Sequence, residues 1–201
     1  MTSILYHGAA DGCAFGAIVA LEWLCRPYRL LQVAGADTPL LHAGGQALRG
    51  CRAILRHVAA QRRYLLGYRP GTPEAVKLEA LLDFLHEEFD RGPDRMERAC
   101  SALDAQLGQS EWLDGNKRTV ADACLVAVVR WAQREAGLRL DKWPRLENHV
   151  RESHGDPAVL FADAIEARRP AVSSGRFRGH LAWQGSVSRA ERTGSDWKQL
   201  A

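Results

Sequence analysis

The sequence has little that would place it in a membrane or in an oxidising compartment. It contains no run of about 18 apolar residues, the length a membrane-spanning helix needs, and no basic and apolar leader at its first residues. We therefore expect neither a membrane span nor a signal peptide. Its five cysteines are odd in number, scattered, and form no C-x-x-C pair. This usage is typical of free thiols, and it predicts a cytoplasmic protein.

A strong excess of one charge is also lacking. The 201 residues carry a formal net charge of +3, and Lys and Arg are interleaved with Asp and Glu through most of the chain. The surplus is confined to an arginine-rich segment after residue 167. Because nucleic-acid-binding proteins more often place a basic stripe on a folded element, we predict no nucleic-acid partner. The scattered cysteines predict no metal site either.

The beginning of the chain predicts a small α/β unit. Residues 3–7 and 28–33 are short, apolar and β-prone, and both indicate buried strands. Between them, the segment from Cys13 to Cys25 is apolar at helical spacing, and Pro27 ends that helix. A strand, a helix and a second strand in this order require parallel pairing with a right-handed crossover.

A hairpin and a second helix complete this unit, which we assign to residues 1–63. Residues 40–42 and 46–48 flank Ala43-Gly44-Gly45, whose glycines supply the positive φ of a tight turn. The segment 50–63 has the apolar spacing of a helix, whereas the stretch before the hairpin is too short for one. The predicted order is therefore β-α-β-β-β-α.

The rest of the chain predicts an all-helical unit. Residues 64–73 form a linker, because they hold two glycines and two prolines. The helical domain spans 74–168, and a basic tail rich in Gly, Ser and Arg occupies 169–201. The central helix of the helical domain is apolar nearly all round, which is typical of a helix inside a bundle. The predicted helices are 74–91, 94–108, 120–136, 144–153 and 157–167.

The central helix begins with a capping box. Thr119 supplies the side-chain cap, and Asp122, three residues later, can reach back to the backbone N–H of Thr119. A buried helix start needs such acceptors, because its free N–H groups are shielded from water. We therefore assign Asp122 a structural role rather than a catalytic one.

These motifs together resemble beta-class bacterial glutathione transferases, with the resemblance covering residues 3–168. Each motif is short, but five follow one another in the family's order and spacing. They are Trp112-Leu113-Asp114-Gly115, Thr119-Val120-Ala121-Asp122-Ala123, Arg130-Trp131-Ala132, Trp143-Pro144-Arg145-Leu146 and Pro157-Ala158-Val159. The resemblance implies a thioredoxin-like front domain that lacks its second helix, a helical back domain of the transferase type, and a homodimer.

The resemblance also implies a glutathione site on the front domain and a pocket for a hydrophobic electrophile between the domains. Cys13 falls where beta-class enzymes carry a cysteine, and a helix N-terminus there lowers the pKa of a thiol. Thr38 and Pro39 fall where the family places a proline after a cis peptide bond, which would expose the Thr38 backbone to an extended peptide. Gly50 and Cys51 occupy the positions that hold the γ-glutamyl end of glutathione.

Three departures from the family concern this site. The family has Glu-Ser or Glu-Gly where this chain has Gly50-Cys51, and a lost charge-assisted hydrogen bond of about 1.5–3 kcal/mol weakens binding roughly tenfold to a hundredfold. A helix that helps to hold the glycyl end is replaced by residues 34–38. Asp90-Arg91 stand where beta-class enzymes carry His-Lys. His86, one turn earlier, is expected to be a solvated helix residue.

The residues leave three functions open. The first is conjugation of glutathione or another small thiol to electrophiles, or disulfide exchange, through Cys13 as a thiolate. The second is a non-catalytic ligand-binding or protein-interaction module on the same fold. The third is a thiol-based redox sensor that uses Cys13 or Cys51. The tail is equally open: it either covers the apolar surface left by the missing helix or extends as a loose basic segment.

Overall fold

The computed structural model describes residues 2–8, 12–33, 39–115 and 117–181. Five strands and seven helices lie within these ranges, and their bounds follow in chain order. They are β1 (Ser3–His7), α1 (Gly12–Leu24), β2 (Tyr28–Gln32), β3 (Leu40–Ala43), β4 (Gln46–Arg49), α2 (Cys51–Gln61), α3 (Pro73–Asp90), α4 (Pro93–Leu107), α5 (Val120–Glu135), α6 (Pro144–Ser153), α7 (Pro157–Glu166) and β5 (Phe177–His180).

The five strands form one mixed sheet in the order β4-β3-β1-β2-β5. β1 runs parallel to β2 and antiparallel to β3, as the predicted β-α-β unit followed by a hairpin requires. The hairpin turn consists of Gly44 and Gly45, with φ angles of 57° and 83°. Because both angles are positive, glycines fit this turn without strain, and the predicted hairpin is confirmed.

The two faces of the sheet are covered differently. Leu5, Leu30 and Leu41 are fully buried in the main core, which the front sheet shares with helices α1, α2 and α5. On the opposite face, Tyr6 and Leu40 belong to a small separate cluster that includes Leu181 at its margin. Side chains alternate between the faces of a strand, so the register places the main core on the helical side only.

Helix α5 is the centre of the helical half. Ten of its residues are buried, from Val120 to Ala132, and it packs against α1, α2, α3 and α6. Gly16 permits the close approach of α1, because a Cβ at this position would lie 3.0 Å from the Ala123 carbonyl oxygen. The predicted fold class, a thioredoxin-like unit followed by a helical domain, is confirmed. None of the helices in the described part of the chain is both long and apolar enough to cross a bilayer.

The tail contributes a fifth strand that the sequence did not predict. Residues beyond α7 return to the front half, and β5 lies parallel to the outer edge of β2. The beginning of the tail therefore docks on the body and is not a loose segment. The rest of the tail, residues 182–201, lies outside the described residues. The physical reason for the docking is the buried Glu22 carboxylate, which accepts hydrogen bonds from Ser173, Ser174 and Gly175.

The capping box at the start of α5 is present as predicted. One Asp122 oxygen accepts a hydrogen bond from the Thr119 amide at 2.7 Å, and the other accepts one from the Leu113 amide at 3.0 Å. The Thr119 hydroxyl in turn accepts from the Ala121 amide. Burial raises the pKa of Asp122, and the two amide hydrogen bonds oppose that shift. The carboxylate thus joins the loop after α4 to the first turn of α5.

Replacement of this carboxylate should destabilise the whole chain. We expect Asp122→Ala to lower the free energy of unfolding by about 2–4 kcal/mol, because two buried amides lose their acceptor. Urea denaturation followed by circular dichroism measures the loss. The matched control is Asp141→Ala, whose carboxylate is exposed and should contribute less than about 0.5 kcal/mol. Equal losses in the two variants would contradict the structural role of Asp122.

Candidate functional site

Three of the residues predicted for the site meet at one edge of the sheet. In the ladder, Tyr6 of β1 is opposite Leu40 of β3, and Leu40 is opposite Arg49 of β4. The pairing continues by one step, because the Gly50 amide donates to the Pro39 carbonyl at 2.8 Å. Pro39, Gly50 and Cys51 are therefore adjacent, and β1 ends at this edge just before α1.

The start of α2 has no side-chain cap. Gly50 is its N-cap with φ of 79° and ψ of 153°, a backbone conformation that a residue with a Cβ would adopt only with strain. The N-terminal amides of a helix carry partial positive charge and bind anionic groups. Cys51, the first residue of α2, is only 5% exposed, so its thiol is packed in the core.

Cys13 is the second residue of α1, as its predicted role at a helix N-terminus requires. The residues that precede α1, 9–11, and the Cys13 side chain itself lie outside what the structure describes. Thr38 and the peptide bond before Pro39 lie outside it as well. Pro39 is buried at the beginning of β3. The roles of Cys13 and Thr38 consequently remain predictions.

A small cavity lies beside the first turns of α1, between the two halves of the chain. Its volume is about 20 Å³, enough for one water molecule. Apolar groups from α1 and α7 and polar groups from the ends of β1, β2 and α7 form its wall. They include His7, Phe15, Ile18, Gln32, Ile165 and Glu166.

Glu166 is held at the cavity by two arginines of α5. Arg130 and Arg134 donate to one Glu166 carboxylate oxygen at 2.8 and 2.7 Å. Arg130 also pairs with Asp163 at 2.5 Å, and its guanidinium carbon lies 4.8 Å from the centre of the Phe15 ring. This arrangement fixes a carboxylate and a guanidinium close to the start of α1.

The sequence did not identify these groups as part of a site. It marked Arg130 only as a member of a family motif, and it gave Glu166 no role. The spacing of Arg130 and Arg134, one helical turn apart on an apolar helix, is the signal that could have indicated a shared acidic partner. Their distance from Cys13 in sequence explains why the pattern alone did not connect them.

His86 is half-buried, contrary to the expectation of a solvated residue. Its Nδ1 lies 2.8 Å from the Leu82 carbonyl oxygen and 3.7 Å from the Cys124 sulfur. The ring therefore packs against the central helix α5. It does not line the cavity beside α1, so the cavity offers no role for His86 as an acid or base.

The other described cysteines differ in how far solvent reaches their side chains. Cys100 and Cys124 are 0% and 1% exposed, whereas Cys25 is partly exposed. Burial, with a smaller effect of the Glu97 carboxylate, raises the pKa of the Cys100 thiol to about 12. A thiol with that pKa stays protonated at neutral pH and is a poor nucleophile. The two buried cysteines, Cys100 and Cys124, are therefore assigned to the core.

Comparison with known proteins agrees with the architecture. Residues 87–152 match the family model of the glutathione S-transferase C-terminal domain. A comparison with curated proteins finds no match. Among solved structures, a glutathione transferase from Methylococcus capsulatus is 23% identical with a TM-score of 0.71, and the match covers 83% of this chain and 100% of that one.

Two further matches are structures that contain glutathione. A glutathione transferase family member from Pseudomonas fluorescens, with two glutathione molecules bound, is 19% identical with a TM-score of 0.67, over 80% of this chain and 92% of that one. A sphingomonad glutathione S-transferase complexed with glutathione is 22% identical with a TM-score of 0.71, over 82% of this chain and 98% of that one. At these identities the likeness shows the fold of the glutathione transferases.

Thiol labelling should follow this pattern of access. In the native protein at pH 8, we expect Cys100 and Cys124 to react with iodoacetamide at least about a hundredfold more slowly than Cys25, because both thiols are shielded from the reagent and burial raises the pKa of Cys100. Peptide mass spectrometry at timed intervals measures each site separately. The urea-unfolded chain serves as the control, in which all three should react at similar rates. Rapid native labelling of Cys124 would show that α5 is more open than its packing indicates.

Proposed function

We propose that this chain is a member of the glutathione transferase family that binds glutathione or a similar small thiol at the edge of its front sheet. The observation that carries the proposal is the meeting of Pro39, Gly50 and Cys51 at the edge where α1 begins. This edge belongs to a fold shared with structures that hold glutathione. Fold alone gives no activity, so the site residues must support the chemistry.

In this proposal, the backbone of Thr38 pairs with the main chain of the bound peptide. An extended peptide can bind an exposed segment in this way by strand addition. The first amides of α2 face the same edge and attract a carboxylate of the ligand. Gly50 provides no carboxylate for the ligand's ammonium group, so affinity should be lower than a site with that anchor would give.

Cys13 is the proposed reactive group. At the start of α1 its thiolate is stabilised by the helix N-terminus. It would attack one sulfur of a disulfide such as oxidised glutathione, form a mixed disulfide with that half, and release the other half as a thiolate. Conjugation of bound glutathione to a hydrophobic electrophile is the other reaction open to this site. We place the protein in the cytoplasm, where glutathione and free thiols coexist.

A specific observation also favours the non-catalytic module. As lined by the described residues, the cavity beside α1 has a volume of about 20 Å³, which fits one water molecule and is smaller than an electrophile needs. The absence of a carboxylate at Gly50-Cys51 also favours the non-catalytic module. In that case, the chain would use the fold for ligand binding or protein interaction and would turn over no substrate.

Calorimetric titration of reduced glutathione tests the binding proposal. We expect a dissociation constant between micromolar and millimolar values, weakened about tenfold by Cys13→Ser through loss of the thiol. Cys25→Ser, which alters a partly exposed cysteine outside the site, should leave the affinity unchanged. An absence of binding heat in the full chain would refute the transferase proposal and favour the non-catalytic module.

The proposed disulfide exchange is measured separately. Incubation with oxidised glutathione should add one glutathione to Cys13, detected by intact-protein mass spectrometry, and Cys13→Ser should abolish this addition because it removes the attacking thiolate. The Cys25→Ser variant should still be modified. Modification of Cys51 in place of Cys13 would support the thiol-sensor function instead.

We further propose that the chain forms a homodimer. The Arg52–Asp83 and Arg56–Glu79 ion pairs set α2 and α3 antiparallel. If the two helices stay side by side beyond these pairs, Val76 of α3 lies near the C-terminal end of α2. Tyr64, which follows α2 in the chain, is exposed as well. Val76 and Tyr64 are 66% and 88% exposed, and Leu65 is 55% exposed. We propose that these apolar side chains form the surface that a second subunit covers.

Sedimentation velocity tests this assembly. We expect a dimer for the unmodified chain and a shift towards monomer for Tyr64→Glu with Val76→Glu, because the charges would have to be desolvated at the interface. Val172→Glu, which changes an exposed apolar residue elsewhere, should leave the dimer intact. A monomer in the unmodified protein at micromolar concentration would exclude the proposed homodimer.

A further inference from the structure

The segment of the tail from residue 171 to residue 181, which we call the strap, touches three of the four elements that wall the cavity, namely α1, β2 and α7. The cavity lies at one end of these elements, against Phe15 of α1, Gln32 of β2 and Ile165 of α7. The strap contacts the same elements nearer their opposite ends. This geometry connects the tail to the site beside α1.

The contact with α1 is centred on Glu22, whose side chain lies in a helix that is otherwise apolar. Glu22 is 1% exposed, and its carboxylate accepts from the Tyr28 hydroxyl at 2.5 Å and from the Gly175 amide at 2.7 Å. The Ser173 hydroxyl donates at 2.8 Å and the Ser174 hydroxyl at 3.2 Å. A buried carboxylate requires such donors, and the strap supplies three of the four.

The contacts with β2 and α7 involve backbone pairing and one aromatic ring. The Tyr28 amide donates to the Arg176 carbonyl at 3.3 Å, at the start of the β2–β5 pairing. The Phe177 ring lies 5.6 Å from that of Tyr28 and 5.1 Å from that of Phe161 in α7. Phe177 thus occupies the space between the sheet and α7.

Gly175 allows the strap to lie directly on α1. A Cβ at this position would be 2.7 Å from the Glu22 carbonyl oxygen and 2.9 Å from its Cα. Both atoms belong to the helix backbone and cannot move aside as a flexible side chain would. A larger residue at 175 must therefore lift the strap from α1, while Glu22, Phe177 and the residues of the cavity wall keep their native side chains.

We propose that the strap is a clamp, which holds α1, β2 and α7 together and keeps the cavity at the size of about one water molecule. When the strap undocks from Glu22, α7 is released from the sheet and the cavity opens to a small apolar molecule. Phe15, Ile18 and Ile165 provide its apolar wall. The clamp would regulate the site beside α1, and in that respect the inference rests on the proposed function. The opening of the cavity can be measured without glutathione.

The test uses the full chain and the neutral fluorescent probe N-phenyl-1-naphthylamine. Gly175→Val should bind the probe at least about tenfold more tightly than the unmodified protein, because its strap is displaced. Arg178→Ala, which alters an exposed strap side chain, should behave as the unmodified protein does. Ser173→Ala removes one donor to Glu22 without a steric clash, and it should give an intermediate affinity. Circular dichroism and a cooperative urea transition establish that each variant is folded.

A second substitution locates the bound probe. Adding Ile165→Trp to Gly175→Val fills the cavity and should return probe affinity to that of the unmodified chain. Tight binding that survives Ile165→Trp would overturn the proposal, because the probe would then occupy the surface uncovered by the strap. Unchanged affinity in folded Gly175→Val would overturn it as well. If Gly175→Val does not fold, Ser173→Ala with and without Ile165→Trp decides the same question.

The outcomes also separate this proposal from the transferase function. Probe binding that depends on the strap, with no calorimetric signal from glutathione, would support the clamp and refute the thiol-binding site. Glutathione binding in the unmodified chain, with no effect of Gly175→Val on the probe, would support the thiol site and refute the clamp.

Discussion

The start of a helix inside the protein is the constraint on which the rest of this structure depends. Helix α5 begins where water has no access, so its first amides need acceptors from the chain itself. The Thr119 hydroxyl accepts from the Ala121 amide, and the Asp122 carboxylate accepts from the Thr119 and Leu113 amides. The Val120 amide finds its acceptor in the Leu66 carbonyl of the linker. One buried helix start thereby fixes the linker and the loop after α4.

The packing around α5 then determines where the candidate site lies. α1 approaches α5 closely because Gly16 has no side chain, and α2 and α7 pack on the other sides of α1. The N-terminal end of α1 therefore faces the cavity between the two halves, beside Glu166. The ladder of β1, β3 and β4 brings Pro39 and Gly50 to the same edge of the sheet.

Local patterns predicted most of this architecture. The glycine turn at 44–45, the capping box at Thr119 and the prolines that begin α6 and α7 each act within a few residues, so the sequence displays them directly. Sequence also placed Pro39, Gly50 and Cys51 in one site, but only through the family resemblance. The interactions it missed join residues far apart: Glu22 with Ser173, and Arg130 with Glu166. A lone carboxylate in an apolar helix indicates that donors must exist, but not which segment brings them.

The fifth strand also changes what the sheet presents to other molecules. Without it, the apolar β2 would be an open edge, with unpaired amides and carbonyls able to join the sheet of another chain. β5 covers that edge and replaces it with a strand on which Arg178 and His180 are exposed, and in which Gly179 has a φ of 97°. A charged and irregular edge is a poor template for further strands. Arginine and glycine residues of the tail, which are also typical of a loose basic segment, thus protect the protein against aggregation through its sheet.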